Sequence, residues 1–315
     1  MSRIQKFFSC SLHPTKLVQY INRYYIGHFI PEKLIIKCLY KERTGRKLNL
    51  DNPLTFNEKL QWLKLYDHNP LYTMMVDKYA AKKYVTDVIG EEYIIPLLGV
   101  WNNFDEIDFD ALPDQFVLKC THDSGGIVIC RDKSTFDISS AKQKINRCLI
   151  RNYYWSGREW PYKNVPRKII AEKYMENKQL GVNGLIDYKF FCFNGEPKCI
   201  YVSSGLEHHP TAQISFVDLD GKRLPFHRRD YLEYVGEIPI PENLALMLQM
   251  SAKMARESGC AFLRVDLYEI EGKIYFSEFT FTPCSGMMPI EPCEWDEILG
   301  SWIELPKEVY DKNFG

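Results

Sequence analysis

The segment SGCAFLRVDLYEIEGKIYFSEFTFTPCSGM, residues 258–287, decides the fold of this chain. Val, Leu, Tyr, Ile and Phe alternate in it with polar residues, which predicts two antiparallel strands joined by a tight turn. A two-residue turn at 271–272 would place Asp266 and Glu278 on opposite faces of the hairpin, whereas a three-residue turn at 271–273 would place them directly opposite each other. We predict the three-residue turn.

The facing carboxylates of Asp266 and Glu278 make this hairpin a candidate metal site. Two carboxylates opposite each other on a strand pair repel by roughly 0.2–1 kcal/mol unless a positive charge lies between them. Oxygen ligands suit Mg²⁺, which keeps several waters and binds one or two carboxylates together with substrate phosphates. The same register sets Arg264 opposite Thr280. The alternative is a hairpin with one solvated face.

Composition narrows the class of protein. The chain has 315 residues, of which 45% are hydrophobic, and this is enough to bury a substantial core in two or three lobes. Its net charge of −1 gives no general case for nucleic-acid binding. The ten cysteines form no CxxC pair, so we interpret them as reduced thiols of a cytoplasmic protein. No apolar run approaches the ~18–20 residues of a membrane span, and KFFSCSL is too short for a secretory signal.

Positive charge is concentrated at the N-terminus, where residues 1–50 carry ten Lys or Arg against two acidic residues. Apolar residues recur at helical spacing between Thr15 and Lys47, which predicts two short amphipathic helices separated by Pro31. Such a basic arm is suited to peripheral contact with the anionic inner face of a membrane, or to holding a polyanionic acceptor. A solvated helical face is the simpler alternative.

Helix and strand signals follow one another after this arm. Thr55 and Glu58 have the spacing of a capping box, which predicts the start of a helix and a structural rather than a chemical role. A second helix is expected over 72–88, ending before Gly90, and a strand over 93–96. Together these segments are typical of an α/β unit.

A lysine beside a glycine-rich loop marks a candidate phosphate site. Residues 116–120 predict a short strand that carries Lys119, and the chain resumes as a strand after the loop. The loop contains Ser124, Gly125 and Gly126. Glycines let backbone N–H groups approach a phosphate and the ammonium group adds charge, although the residue order of a Walker A loop is absent. Lys78, in the helix expected over 72–88, could reach a phosphate too. The alternatives are an ordinary hairpin turn and surface lysines.

The C-terminal half is predicted to contain further strands and one long helix. Strands are expected over 168–175 and 187–193, and Asn-Gly at 194–195 predicts a hairpin turn into a strand over 197–202. An amphipathic helix over 241–258 then leads into the hairpin described first.

Several polar residues of this half were weighed as ligand contacts. Strand alternation places Lys189 on the same side as Asp187, where the two charges would be solvated or meet a ligand. His208, His209 and His227 have no Asp or Cys at metal-ligand spacing, so we interpret them as loop residues first and as acceptor contacts second.

Taken together, these elements resemble the ATP-grasp superfamily. Arg-Val-Asp, a hairpin and Glu-Phe-Thr-Phe-Thr-Pro over 264–283 are similar to the corresponding stretch of D-alanine–D-alanine ligases. The whole chain, including Asn-Pro-Leu-Thr-Phe-Asn-Glu-Lys at 52–59, resembles the TupA-like ATP-grasp family, which is found with bacterial surface-polysaccharide genes. The resemblance implies an α+β ATP-grasp fold, in which two α+β lobes clasp ATP behind a helical N-terminal extension.

The domains expected from this resemblance are a helical, basic N-terminal extension (1–70), a small α/β region (71–112), a lid subdomain (113–180) and a C-terminal catalytic subdomain (181–315).

The resemblance also implies a role for each matching residue. Those that would hold ATP are Lys78 and Lys119 on its phosphates, the covering loop of Ser124, Gly125 and Gly126, Tyr174 and Met175 with their backbone on adenine, and Glu172 or Glu176 accepting from the base or ribose. Lys189 would lie near the γ-phosphate, and Arg264 would stabilise a tetrahedral intermediate. Asp266 and Glu278 would bind Mg²⁺ with Thr280, which replaces the superfamily's usual metal-ligand Asn. Threonine is a weaker ligand, so a second metal is in doubt.

By the same resemblance, the protein is expected to be an ATP-dependent carboxylate–amine ligase. ATP would phosphorylate a carboxylate to an acyl phosphate, and an amine would then displace phosphate to form an amide. The expected carboxylate belongs to a uronic acid of a bacterial surface polysaccharide of the capsule or cell wall, or to its precursor. The expected amine belongs to an amino acid or amino sugar. The loop over 283–288, with Ser285 as its polar group, is the candidate acceptor contact, although Ser285 could equally be a turn residue.

Two other functions stay open at this point. In a sugar or polysaccharide phosphotransferase, a hydroxyl would take the γ-phosphate and no amine would be needed. In a non-catalytic partner of a glycosyltransferase complex, the chain would contact polysaccharide biosynthesis enzymes without reacting, and the acidic residues of the hairpin would be dispensable.

Overall fold

The structure is a computed structural model that describes residues 28–177, 185–206 and 209–307. Its helices are α1 (Glu32–Thr44), α2 (Phe56–Tyr66), α3 (Pro70–Val76), α4 (Ala80–Ile89), α5 (Ile138–Leu149), α6 (Tyr154–Gly157), α7 (Leu244–Ser258) and α8 (Glu294–Ser301). Its strands are β1 (Leu97–Trp101), β2 (Phe116–Cys120), β3 (Ile127–Cys130), β4 (Ile169–Lys173), β5 (Ile186–Phe193), β6 (Glu196–Ser204), β7 (Gln213–Val217), β8 (His227–Arg228), β9 (Leu232–Glu233), β10 (Phe262–Ile270), β11 (Lys273–Thr280) and β12 (Ile290–Glu291).

Two sheets form the framework of the molecule. One has the strand order β1-β4-β2-β3 and is antiparallel throughout. The other has the order β11-β10-β5-β6-β7-β9, in which β7 and β9 run parallel. A small ribbon pairs β12 with β8. The α+β class predicted from the sequence is confirmed, whereas the four domain ranges stay a prediction.

The hairpin of β10 and β11 has the predicted pairing but not the predicted turn. Asp266 lies opposite Glu278, as expected. The turn, however, has two residues, Glu271 and Gly272, with φ of 50° and 73°, which is the left-handed geometry of a tight hairpin turn. A β-bulge at Ser277 restores the register, because the partner of Leu267 is Phe276 while the partner of Asp266 is Glu278. The three-residue turn was therefore wrong, and the bulge supplies the extra residue.

The helix predicted over 72–88 is wrong, since the chain forms α3 and α4 with a break at 77–79. The Asp77 carboxylate ends the first helix and starts the second by accepting hydrogen bonds from the backbone N–H groups of Tyr79, at 2.8 Å, and Ala80, at 3.3 Å. The backbone N–H of Lys78 meanwhile donates to the Thr121 carbonyl oxygen at 3.1 Å. The break thus ties Lys78 to the glycine-rich loop.

Other element predictions have mixed outcomes. The strand expected over 93–96 is wrong, because 91–93 forms a 3₁₀ turn and β1 begins at Leu97. The capping box is confirmed, with Thr55 and Glu58 satisfying each other's backbone N–H groups at the start of α2. Of the two N-terminal helices, α1 is confirmed and the other lies outside the described residues.

The Asn-Gly hairpin turn at 194–195 is confirmed, with both residues at positive φ. The helix expected over 241–258 begins three residues later, at Leu244, and ends at Ser258, where Gly259 adopts a φ of 65°.

The six-stranded sheet is covered on both faces, which is why all eight residues of β5 are buried. One face packs Phe190 and Val265 against Met254 of α7. The other packs Phe191 and Phe262 against Phe56 of α2. The alternative of a hairpin with a solvated face is therefore excluded for β10, where Asp266 has no exposed surface.

The face that carries Phe191 and Phe262 changes its chemistry along the strands. Two residues further along each strand, the same face carries Lys189 and Arg264, and then Asp187 and Asp266. An aromatic core at one end of this face thus borders a charged cluster at the other end.

Among the helices within the described ranges, none combines the length and the apolar character that a membrane crossing requires.

Candidate functional site

A cleft of about 910 Å³ lies between the two sheets and gathers most of the predicted site residues. Those that line it are Lys78, Lys119, Ser124, Glu172, Tyr174, Met175, Lys189 and Glu278. The predicted residues that do not line it are Gly125, Gly126, Glu176, Arg264, Asp266 and Thr280. Arg264 and Asp266 nevertheless belong to the site, because ion pairs join them directly to Lys189 and Glu278.

The charged cluster on the six-stranded sheet is built around Asp266. Its carboxylate accepts two hydrogen bonds from Arg264, at 2.7 Å from Nε and 2.6 Å from Nη2. Lys189 Nζ lies 2.9 Å from Asp266 Oδ2 and 3.0 Å from Asp187 Oδ1. Asp187 also lines the cleft, and the sequence had left open whether its charge was solvated or met a ligand. Because these side chains are buried, each charge depends on its partner.

Arg264 supplies the positive charge that the facing carboxylates require. Its Nη2 lies 2.6 Å from Asp266 Oδ2 and 3.1 Å from Glu278 Oε1, so one guanidinium bridges both carboxylates. Electrostatic repulsion between Asp266 and Glu278 therefore does not by itself demand a metal ion, which corrects the first step of the sequence argument. Burial alone would raise the pKa of Asp266, but the charges of Arg264 and Lys189 hold it below its usual range.

The oxygen atoms at this site could supply some, but not all, of the ligands that Mg²⁺ requires. Glu278 is 37% exposed and reaches the cleft, so its carboxylate is open to a cation. Asp266 is fully buried, and would have to give up a bond to Arg264 or Lys189 to become a ligand. Within the described ranges, no group of three His, Cys, Asp or Glu residues is placed to hold a metal ion. The protein oxygens thus suit a cation that takes its remaining ligands from phosphate and water.

The opposite wall of the cleft is organised around Glu172 of β4. Lys119 Nζ lies 2.6 Å from Glu172 Oε2, and Lys82 Nζ lies 2.5 Å from Oε1. Burial raises the pKa of Glu172, but the two lysines outweigh it and lower the pKa to about 2. The sequence reading missed Lys82, although it lies four residues after Lys78.

Because two lysines pair with Glu172, we expect the free energy of unfolding to decrease in acid. The pKa of Glu172 is about 2 in the folded chain against an ordinary 4.5, so the unfolded chain binds more protons between these values. The contribution is present above pH 4.5 and is lost as the pH falls towards 2, and at neutral pH it is on the order of 3 kcal/mol.

We expect Glu172→Gln to lower the free energy of unfolding in urea by about that amount near neutral pH, and by progressively less as the pH falls through this window. A difference between wild type and variant that stays constant across the window would contradict the ion pairs.

The glycine-rich loop is anchored by residues that the sequence reading did not single out. The side chain of Asp123 is fully buried, pairs with Arg151, and accepts from the backbone N–H of Gly125 at 2.9 Å. Lys78 Nζ donates to the Asp123 carbonyl oxygen at 2.8 Å. A Cβ on Gly126 would lie 2.8 Å from the side chain of Cys120, so Gly126 permits close packing below the loop. The signal for this anchor was the Asp before Ser-Gly-Gly.

The strand end expected to meet adenine lies at the cleft wall. Tyr174 and Met175 follow β4 and line the cleft, whereas Glu176 does not. Arg131 Nε donates to Tyr174 Oη at 3.3 Å, and the guanidinium carbon lies 5.7 Å from the ring centroid. These contacts hold the tyrosine ring beside the cavity.

Side chains of α2 bind the backbone of the loop over 283–288. Lys64 Nζ donates to the Ser285 carbonyl oxygen at 3.0 Å, and Gln61 Nε2 donates to the same oxygen at 2.9 Å. Asn57 bonds Met288 through both of its amide atoms, at 2.9 and 2.7 Å. Asn57, Gln61 and Lys64 recur at i, i+4 and i+7 on one face of the helix, which was the available signal. Ser285 itself does not line the cleft.

Two residues of this loop adopt a left-handed backbone conformation. Cys284 and Ser285 have φ of 52° and 57°, which is uncommon for residues other than glycine. Burial lowers the pKa of Lys64 to about 8, and the charge of Glu159 opposes the shift. Helix α2 therefore fixes the loop through buried polar contacts.

Of the histidines weighed from the sequence, His227 does not line the cleft. His227 lies 3.5 Å from Glu233 and 3.8 Å from Glu291. His208 and the side chain of His209 lie outside the described parts of the chain.

Comparison with known proteins was made at the level of family, curated sequence and structure. The family profile described as TupA-like ATPgrasp matches residues 58–304. A search of curated proteins found no match. Several solved structures share part of the topology at low identity.

D-alanine–D-alanine ligase from Helicobacter pylori is 15% identical, with a TM-score of 0.47 over 79% of this chain and 69% of that one. The corresponding ligase from Bacillus anthracis, complexed with ATP, is 17% identical with a TM-score of 0.37, over 66% of this chain and 54% of that one. A RimK domain protein from Sphaerobacter thermophilus is 12% identical, with a TM-score of 0.40 over 74% of this chain and 69% of that one. The chain thus spans about half the length of the Bacillus anthracis ligase.

Family membership rests on the profile and not on these distant structural likenesses. The matched residues include β2, β4, β5 and the hairpin of β10 and β11, which together form the cleft. Because the profile covers most of the sequence, the chain belongs to the TupA-like ATP-grasp family.

Proposed function

We propose that the protein is an ATP-dependent carboxylate–amine ligase. The observation that carries the proposal is that the cleft is lined by lysines, three of which come from different elements and match predicted phosphate contacts. Lys78 comes from the break between α3 and α4, Lys119 from β2 and Lys189 from β5. A triphosphate is the kind of ligand that three lysines on a walled cavity favour.

Different residues of the cleft would bind different parts of ATP. We assign Lys78 and Lys119 to the ATP phosphates, with Ser124, Gly125 and Gly126 as the loop over them. The adenine would lie at the strand end, on the backbone of Tyr174 and Met175, with Glu176 near the ribose. Glu172 is held by two lysines, so its main role would be to orient Lys119.

The hairpin would carry the reacting end of the nucleotide. We assign Mg²⁺ to Glu278 and, after a shift of Arg264, to Asp266, with Thr280 as a weaker neighbour. When bound, Mg²⁺ would neutralise charge on the phosphates. Lys189 and Arg264 are buried cations on the same face, placed to stabilise negative charge that develops beside Glu278.

The proposed reaction has two steps. A carboxylate oxygen of the acceptor attacks the γ-phosphorus of ATP, the bond to ADP breaks, and an acyl phosphate forms. An amine then attacks the acyl carbon, phosphate leaves with the original carboxylate oxygen, and the amine loses a proton as the amide forms. Exclusion of water by the loop over the cleft would protect the acyl phosphate from hydrolysis.

For the substrates, we propose a uronic acid of a bacterial surface polysaccharide or its precursor as the carboxylate donor, and an amino acid or amino sugar as the amine. Membership of the TupA-like family supports this choice.

The test is a screen of ADP release with Mg²⁺ and ATP, against a panel of uronates and amino acids, followed by isotope analysis of active pairs. A ligase moves ¹⁸O from the labelled carboxylate into the released phosphate. A phosphotransferase instead leaves ³²P from [γ-³²P]ATP on the sugar and needs no amine, and that result would overturn the proposal.

A further inference from the structure

A second cavity, of about 340 Å³, adjoins the loop over 283–288, because Met287 and Met288 line it. Arg43 and Arg46 line it from α1 and the residues that follow, and Arg229 lines it from the turn after β8. Its floor is apolar and includes the buried side chains of Met288 and Ile290. A concave site of this size with an apolar floor and a few convergent polar groups is typical of small-ligand sites.

Two of the carboxylates around this cavity have partners other than its arginines. Asp230 pairs with Arg228, through bonds of 3.0 and 2.8 Å that use both carboxylate oxygens. Asp296 is buried and accepts from the backbone N–H and the side-chain amide of Asn57, at 3.0 and 3.1 Å. The charge of Asp296 nevertheless acts on Arg46 as well.

The third carboxylate, that of Glu291, compensates one arginine weakly. It lies 3.6 Å from Arg229 in a pair that is exposed on both sides, and it also faces His227 at 3.8 Å. An exposed pair of this kind contributes little.

Arg43 is the arginine of this cavity for which the described residues supply no carboxylate partner. Within the described part of the chain, no ion pair or hydrogen bond engages the Arg43 guanidinium. Contact with the Cys293 side chain raises the pKa of Arg46, and the charge of Asp296 adds to the shift. The cavity thus presents the positive charge of Arg43 without a counter-charge of its own.

The cavity adjoins the loop that is the candidate acceptor contact. Met287 and Met288 of the loop over 283–288 line the cavity. The same loop follows β11, the strand that carries Glu278. A substrate that lies along this loop would reach both the cavity and the hairpin.

We propose that the cavity of Arg43, Arg46 and Arg229 binds a doubly charged oxyanion, a phosphate monoester or diphosphate carried by the acceptor substrate. Guanidinium groups match phosphate oxygens with paired, charge-assisted hydrogen bonds, which explains why arginine and not lysine lines the cavity. The assignment to the acceptor rests on the proposed ligase function, whereas the binding of the oxyanion does not.

The exposed Cys293 provides a local probe, because it lines the cavity. We would measure the rate at which iodoacetamide alkylates Cys293 in the full chain, by mass spectrometry of its peptide, without ATP or Mg²⁺. Pyrophosphate, inorganic phosphate and glucuronate would be titrated separately at constant ionic strength. We expect pyrophosphate to protect Cys293 best and glucuronate least.

Loss of one guanidinium should weaken this protection. We expect Arg43→Gln and, separately, Arg229→Gln to raise the half-protecting concentration of pyrophosphate about tenfold, as the loss of one charge-assisted contact predicts. Arg147→Gln removes an exposed arginine of α5, far from the cavity, and should leave protection unchanged. If one cavity variant does not fold, the other still decides the result.

The proposal is overturned if pyrophosphate does not protect wild-type Cys293, if both cavity variants are protected as well as wild type, or if glucuronate protects equally well. Lys119→Ala separates this inference from the ligase function, since it should keep full protection of Cys293 in the absence of ATP. A chain that shows this protection but releases no ADP with any acceptor would retain the oxyanion site and lose the ligase assignment.

Discussion

Asp266→Asn should both destabilise the protein and abolish ATP-dependent turnover. The Asp266 carboxylate has no exposed surface and accepts from Arg264 and Lys189, so the amide leaves two buried cations short of a counter-charge. Removing one partner of a buried charge network costs about 3–5 kcal/mol. The measurement is the free energy of unfolding in urea without ligands, together with ADP release under the conditions of the substrate screen.

Glu278→Gln is the matched control for the structural part of this effect. Glu278 is 37% exposed and makes a single contact of 3.1 Å with Arg264, so its loss should cost less than about 1 kcal/mol. ADP release should nevertheless disappear in this variant as well, since its carboxylate is the one open to Mg²⁺. Equal stability losses in the two variants would contradict the central position of Asp266, and full ADP release in both would contradict the assignment of Mg²⁺ to these carboxylates.

Lys119→Ala should reduce ADP release by about 10²–10³-fold, which is the usual effect of removing one group that stabilises developing charge. Lys119 lines the cleft, and its ammonium group lies 2.6 Å from Glu172 Oε2. An incoming phosphate would compete with Glu172 for this ammonium group. The loss should appear with every acceptor, because it concerns ATP.

Lys82→Ala separates the phosphate contact from the ion pair on Glu172. Lys82 binds the other oxygen of the same carboxylate and also the Ile95 carbonyl oxygen, but it does not line the cleft. Both variants should lose some stability, whereas only Lys119→Ala should lose most of its ADP release. Unchanged ADP release in Lys119→Ala would count against the phosphate assignment, and an equal loss in Lys82→Ala would show that Glu172 is the critical group.

The hairpin shows how far sequence reasoning reaches. The facing of Asp266 and Glu278 was predicted correctly, but through a turn of the wrong length. Alternation has a period of two residues, so a three-residue turn and a bulge at Ser277 produce the same facing pair. Backbone φ at Glu271 and Gly272 distinguishes them, and a sequence pattern does not report it.

In the cleft too, some residues were predicted from the sequence and others were found only in the structure. Lysines and carboxylates at predicted strand ends were found from the sequence, and several of them line the cleft. The anchors were missed: Lys82 on Glu172, Arg151 on Asp123, and the polar face of α2 below the loop. Each of these partners comes from another element, so only the tertiary structure shows which group it meets.

The sequence by itself determined the strands that bear the charged residues and the facing of the two hairpin carboxylates, because these depend on local periodicity. The α+β class was expected from the resemblance to the ATP-grasp superfamily. Only the tertiary structure decided which charge neutralises which. Arg264 lies between Asp266 and Glu278, and two lysines converge on Glu172, because packing on both faces of the sheets buries these groups together. In a buried setting, an ionised group requires a partner, and that partner is chosen by the fold and not by distance along the chain.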